Sequence, residues 1–207
     1  MCAFERSEKG MEFNMKIAVY GAASSLIDDL YKQAGIELGR KMVERGHGLV
    51  FGGGANGMMG SVAQGVYEKG GYLLGVVPQF FHDTNSEISF KNCTDYIYTN
   101  TMRERKKEME ENCDAFIITP GGIGTLDEFF EILTLKQLGR HNKAIAIYNI
   151  NGFYDEMASS LYRMAKEEFI THDCADLCKV FNNLDEMLDY IEEYDPTEID
   201  LSKVKIR

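Results

Sequence analysis

Short apolar runs alternate along most of this chain with longer segments of helical period. Residues 16–20, 48–51, 72–77, 95–98, 115–118, 143–148 and 179–181 read as strands, being brief and apolar or β-rich, several of them bounded by turn residues. Helical spacing runs over 27–45, where it stops at Gly46, and from a glycine-rich turn to about residue 69. It returns over 101–112, from Leu126 through Phe129, Phe130 and Leu133, over about 153–169, and over 184–194. Strands alternating with helices predict an α/β fold, a doubly wound parallel sheet with helices on both faces. At 207 residues the expectation is a single domain. The pattern gives out in three places. Residues 1–14 mix charges without a period and read as a loose extension, 15–195 as the folded domain and 196–207 as a polar tail. Residues 80–94 read as an irregular polar and aromatic stretch, long enough for a functional loop.

Composition narrows the function classes. A net charge of −11 argues against nucleic acid or an anionic membrane as partner, because phosphate backbones attract basic faces. Any phosphate must be met locally. No run approaches the roughly 18 apolar residues of a membrane span, and no secretory leader is evident, so a cytoplasmic protein is expected. Five cysteines are an odd number without a paired spacing, which fits reduced thiols. His172, Cys174 and Cys178 lack a fourth ligand in a fitting pattern, so structural roles and no metal are expected. His141 and His172 have no catalytic partner in sequence.

Ligands in parallel sheets sit beyond the carboxyl ends of the strands, and three glycine-rich turns fall there. The richest is Pro120-Gly121-Gly122-Ile123-Gly124-Thr125-Leu126-Asp127-Glu128, between a strand and a helix. Its glycines let backbone N–H groups approach a ligand, with the positive end of the following helix aimed at the same place. That is an anion cradle suited to phosphate. Glu128 has a plainer reading: Thr125-x-x-Glu128 is also a capping box. The second turn contains Gly52, Gly54 and Gly57 in a literal G-x-G-x-x-G. As a dinucleotide fingerprint it is weak, because it follows the second strand and no acid stands about 20 residues on to hold a ribose. A second loop for phosphate or sugar, or a tight turn, fits better, with Met58 and Met59 as packing residues. The third turn is Gly21-Ala22-Ala23-Ser24-Ser25, after the first strand. The charged helix from Thr101 pairs like with like at i,i+4 (Arg103 with Lys107, Glu104 with Glu108), so mutual support explains it poorly.

At residues 120–128 the chain resembles the LOG ("Lonely guy") family of cytokinin riboside 5′-monophosphate phosphoribohydrolases, whose motif is P-G-G-x-G-T-x-x-E. Two companions stand in order: residues 52–60 match G-G-G-x-x-G-x-M-G, and Met102 to Lys106 matches M-x-x-R-K. The resemblance implies a Rossmann-like homodimer, without cofactor, that splits a nucleoside 5′-monophosphate into free base and ribose 5-phosphate. It implies Arg105 and Glu128 as the catalytic pair. Glu87, Lys106, Gly121, Gly122, Ile123, Gly124, Thr125, Leu126, Asp127 and Thr134 are implied to line the substrate, with Gly53, Gly54 and Gly57 beside them. The first turn departs, since family members usually have Cys-Gly-Ser-Ser where this chain has Tyr20-Gly21-Ala22-Ala23-Ser24-Ser25. The family has often been labelled lysine decarboxylase, yet nothing in the chain resembles a pyridoxal phosphate site.

The residue types agree with that chemistry. Breaking a ribosyl C–N bond passes through an oxocarbenium-like state, which a carboxylate stabilises while orienting water. Permanently charged Arg105 can fix the phosphate or Glu128 and assist the departing base. Two other readings stand beside it. A nucleotide-binding sensor or carrier of the same fold would need the glycine loops but not Arg105 with Glu128. A nicotinamide-dependent oxidoreductase would need the missing ribose-binding acid.

Overall fold

The first strand, β1 (Met15–Tyr20), decides which residues enter which layer. Its alternation sends Ile17 and Val19 into one apolar cluster and Ala18 and Tyr20 into another, so both faces of the sheet must be covered. The structure, a computed structural model, describes residues 13–84 and 89–197, and the side chains of all of these except 82–84. Its other strands are β2 (His47–Phe51), β3 (Leu73–Pro78), β4 (Asp95–Thr99), β5 (Ala115–Ile118), β6 (Ala144–Tyr148) and β7 (Lys179–Phe181). They form one parallel sheet in the order β4-β3-β2-β1-β5-β6-β7. The central strands are buried on both sides, which is why they read as continuous apolar runs.

One face carries α1 (Asp29–Glu44), α2 (Gly57–Glu68) and α8 (Leu184–Glu192), through Leu38, Met42, Met58, Val62, Met187 and Ile191. The other carries α4 (Met102–Glu111) and α5 (Ile123–Gln137), through Met109, Phe129, Ile132 and Leu133. This is the doubly wound architecture that the alternating pattern predicts. α6 (Asp155–Lys166) follows a 3-10 turn at Ile150–Gly152.

Two short elements were not legible. α3 (Gln79–Thr84) occupies the start of the stretch expected to be irregular, and α7 (His172–Ala175) follows Thr171, whose side chain accepts from the Cys174 amide. Neither is long enough to show a period. α7 also separates the three residues weighed as metal ligands: Cys174 and Cys178 are buried, whereas His172 is exposed. Among the described residues no cluster of His, Cys, Asp and Glu is arranged to hold a metal, and no helix is long and apolar enough to cross a membrane. At the edge of the expected extension, Asn14 donates from its amide to Gly46 O at 2.8 Å, and Phe13 packs on Tyr72. Burial holds the imidazole of His141 down to about 4; its Nε2 contacts Ile132 O and its Nδ1 accepts from the Lys143 amide, a structural role.

Lys136, inside α5, is fully buried. Its ammonium donates to Lys143 O and Tyr194 Oη, both at 2.8 Å, tying α5 to the chain after α8. Burial pulls its pKa from 10.5 down to about 8. Between those values the unfolded chain binds the proton and the folded one does not, so this residue adds stability as pH rises. Relative to Lys136→Met, the wild type should therefore gain up to about 3 kcal/mol between pH 8 and 10.5, with no change in the gap below pH 7. Urea unfolding of both proteins across this range checks it, and parallel curves would refute it.

Candidate active site

Backbone hydrogen bonds lace the three glycine-rich turns together. The Ala22 amide donates to Pro120 O at 3.1 Å, and the Met59 amide donates to Ala22 O at 3.2 Å. Beyond the ends of β1, β2 and β5 this leaves an open cleft of about 760 Å³. The first turn lines it from Tyr20 to Ser24, the second through Gly52, Asn56 and Met59, and the third through Gly122, Gly124 and Thr125. Phe81, Met102, Arg105, Asp127 and Glu128 complete the wall.

The third turn is built as a cradle. Gly122 is the N-cap of α5 and gives no side-chain bond, while its carbonyl accepts from the Leu126 amide at 3.1 Å. The amides of Ile123, Gly124 and Thr125 therefore have no acceptor within the helix and add to its positive end. A Cβ built on Gly122 or Gly124 would meet nothing within 4 Å, so the space before these amides is open. Gly121 is constrained instead by the protein, since a Cβ there would lie 2.1 Å from Thr125 Oγ1.

The capping-box reading of Thr125 and Glu128 is corrected. The helix begins two residues before Thr125, because glycine takes the cap, and Thr125 is buried inside the first turn. A box-like exchange is found at α4: Thr101 Oγ1 accepts from the Glu104 amide at 3.1 Å, and Glu104 Oε2 accepts from the Asn100 amide at 2.8 Å. This fixes the start of the helix that carries Arg105.

Arg105 is 6 % exposed and reaches into the second turn. A Cβ on Gly52 would fall 1.5 Å from Arg105 Nη2, so only glycine leaves room for the guanidinium. Phe81 lies 5.9 Å away, a cation–π contact worth about 0.5–2 kcal/mol. Arg105 Nε is buried without a hydrogen-bond partner among the described residues. A buried charge so held is costly unless a ligand completes it. Glu128, half-buried on α5, faces the same cleft. Burial, and secondarily the Glu128 charge, raise the hydroxyl pKa of Tyr20 well above its ordinary value and keep that phenol protonated.

The structure brings Arg105, Glu128, Gly122, Gly124, Thr125 and Asp127 together at the cleft. Of the other expected lining residues, Gly121 and Ile123 belong to the same turn, Ile123 through its amide, Glu87 lies outside the described residues, and the rest do not form the cleft wall. Lys106 pairs with Asp127 at 2.9 Å and with Glu131, binding α4 to α5. Burial lowers the pKa of its ammonium, but the two carboxylates outweigh this and leave it above the usual lysine value. Ile123 is 89 % exposed, Leu126 packs on the core, and Thr134 is exposed further along α5. Gly53, at φ +78°, would meet Val77 with a Cβ, Gly57, at φ +64°, would meet the Ala22 and Ser24 carbonyls, and Gly54 bridges to Ser89. These three shape the turn, and Gly52, read in sequence as the first glycine of the G-x-G-x-x-G but not as a site residue, is the one against the guanidinium. Also missed were Phe81, Met59 and Met102 as cleft residues. Met102 belongs to the M-x-x-R-K match, a usable signal, whereas Phe81 stood in a stretch without any period.

Fold and cleft thus define a Rossmann-like α/β protein with a glycine-rich cleft at the switch point of its sheet. A family model described as "Possible lysine decarboxylase" matches residues 59–191. The cytokinin riboside 5′-monophosphate phosphoribohydrolase LOG2 of Arabidopsis thaliana is 35 % identical over 185 residues, 89 % of this chain and 86 % of that protein. The LOG enzyme of Oryza sativa subsp. japonica, with the same activity in its name, is 36 % identical over 87 % of this chain and 74 % of its own. The chain belongs to the LOG family. Among solved structures, the molybdenum cofactor binding protein of Rippkaea orientalis superposes with a TM-score of 0.65 at 18 % identity, covering 86 % of this chain and 94 % of its own. The molybdenum cofactor carrier protein of Chlamydomonas reinhardtii gives 0.64 at 20 %, over 86 % and 96 %. These two share the fold. A pyridoxal phosphate decarboxylase would need a lysine for its Schiff base. Among the described residues no lysine lines the cleft.

Two glycines separate the roles of protein and ligand. Gly124→Ala should stabilise the fold by about 0.5–1 kcal/mol, as alanine does in a helix, while its methyl group weakens binding of inorganic phosphate used as a probe of the first-turn amides. Gly52→Ala should lower stability and phosphate affinity together, because the guanidinium must leave its seat. Thermal melts with titration calorimetry test both; a Gly52→Ala protein matching wild type in both would contradict the geometry.

Proposed function

We propose that this protein hydrolyses the N-glycosidic bond of a purine nucleoside 5′-monophosphate, of AMP or cytokinin type. The observation that carries the reading is the meeting of Arg105, Glu128 and the open first-turn amides of α5 in one cleft. The 5′-phosphate sits on the amides of Ile123, Gly124 and Thr125, which supply remote binding energy for placing the sugar. Glu128 stabilises the positive charge that develops on the ribose and orients the attacking water. The bond from C1′ to the base nitrogen breaks with its electrons on the base, water adds to C1′, and its proton ends on the base. Arg105 steadies the charge building on the leaving group. No metal or other cofactor takes part in this scheme.

The same reading includes a homodimer. Ile123, Phe130 and Leu138, spaced seven and eight residues apart, leave an apolar stripe exposed along α5 and its cap, which supports a second copy as partner. Light scattering should then give twice the 23.4 kDa mass of the chain.

Chromatography of the protein incubated with AMP, with isopentenyladenosine monophosphate and with adenosine tests the activity. Free base should appear from both monophosphates and not from adenosine. Glu128→Gln should keep the fold and AMP affinity while losing at least about 100-fold in turnover, consistent with loss of a general-base or electrostatic group. Unchanged turnover would rule the mechanism out, and AMP binding without base release would favour a nucleotide sensor or carrier.

A further inference from the structure

Among the described residues, the groups that hold Arg105 are soft. Nη1 donates to Met102 Sδ at 3.7 Å, Nη2 to Met59 Sδ at 4.0 Å, and the Phe81 ring lies beside the guanidinium. A thioether is a weak acceptor, so these contacts orient the cation without neutralising it. The two methionines differ in exposure, with Met59 6 % exposed and Met102 38 %. Among the described methionines, Met102 and Met164 are the exposed ones.

We propose that Met102 is a reversible oxidation site that controls Arg105, an inference resting on the role given to Arg105 above. A hydroperoxide delivers one oxygen to Sδ: the O–O bond breaks, an S–O bond forms, and sulfur loses two electrons. The hydroperoxide is reduced and leaves as water or an alcohol. The sulfoxide is polar, and its oxygen is a strong acceptor placed beside Arg105 Nη1. It captures the N–H groups that the leaving group requires and commits the guanidinium to the protein. Met59, buried on the other side, keeps its thioether. Methionine sulfoxide reductases reverse the change.

The test treats the full chain with hydrogen peroxide, then with a thiol reductant to reset the cysteines, and maps sulfoxides by peptide mass spectrometry. Base release from AMP should fall at least ten-fold in step with Met102 oxidation, irrespective of Met164, and return with methionine sulfoxide reductases. Met102→Leu, itself slowed several-fold by loss of the orienting sulfur, should lose nothing further to peroxide. Met102→Gln, which sets an amide oxygen near the same place, should reproduce the full loss, whereas a packing role would penalise Leu and Gln alike. Untreated protein that releases no base sinks the phosphoribohydrolase reading alone. The oxidation proposal is then judged by AMP affinity, which should drop several-fold with Met102 sulfoxide. Complete Met102 oxidation with base release and AMP affinity both unchanged would overturn it, as would equal peroxide sensitivity in Met102→Leu.

Discussion

Strands β1 and β5 are remote in sequence yet hydrogen-bonded side by side, from Ile17 with Ala115 to Tyr20 with Ile118, and the site depends on that pairing. The chain winds outward from β1 through β2, β3 and β4, then returns to place β5 on the other flank. The helix after β1 therefore packs on one face and the helix after β5 on the other. Their connecting turns diverge and open a crevice, as expected at a switch point in a parallel sheet. The Ala22 amide and carbonyl, bonded to Pro120 and Met59, keep the three turns in register.

Within that crevice the protein accepts a local energetic cost. Burying a guanidinium without a carboxylate partner among the described residues gives up solvation that sulfur, an aromatic face and glycine restore only in part. The surroundings hold it there regardless: Thr101 and Glu104 fix the start of α4, Met109 anchors its far end in the core, and Gly52 clears the space. Such unpaired burial is what a binding site shows when the ligand is meant to complete the set. Lys106, the next residue, shows the opposite treatment, since Asp127 and Glu131 satisfy it and make it a strut between helices.

Much of this was legible in the chain itself. The central strands announced themselves because both faces are buried, and the turns after them because glycine and strand ends coincide. Glu128 and Arg105 were legible as chemistry only through resemblance, since no period distinguishes a carboxylate in a cleft from one in a cap. T-x-x-E is ambiguous until the cap is known, and here Gly122, not Thr125, is the cap. What stayed hidden was tertiary: which glycine meets the guanidinium, that Lys106 reaches across to α5, that Phe81 on a six-residue helix leans on Arg105, and that Thr134 lies on the exposed face.

Placing the first-turn amides and Glu128 on one helix also bears on how the spacing would serve the proposed reaction. From Gly124 to Glu128 is four residues, about 6 Å along the axis at 1.5 Å per residue. Side chains tilt toward the helix N-terminus, which brings the carboxylate back over the first turn. On the proposed reading, a phosphate held on the amides would have its sugar beside the carboxylate, and a rigid helix sets the separation. A net charge of −11 does not oppose this, because the positive end of α5 and Arg105 act at contact distance, where solvent screening is weak. The same charge disfavours long polyanions, which must cross the acidic surface.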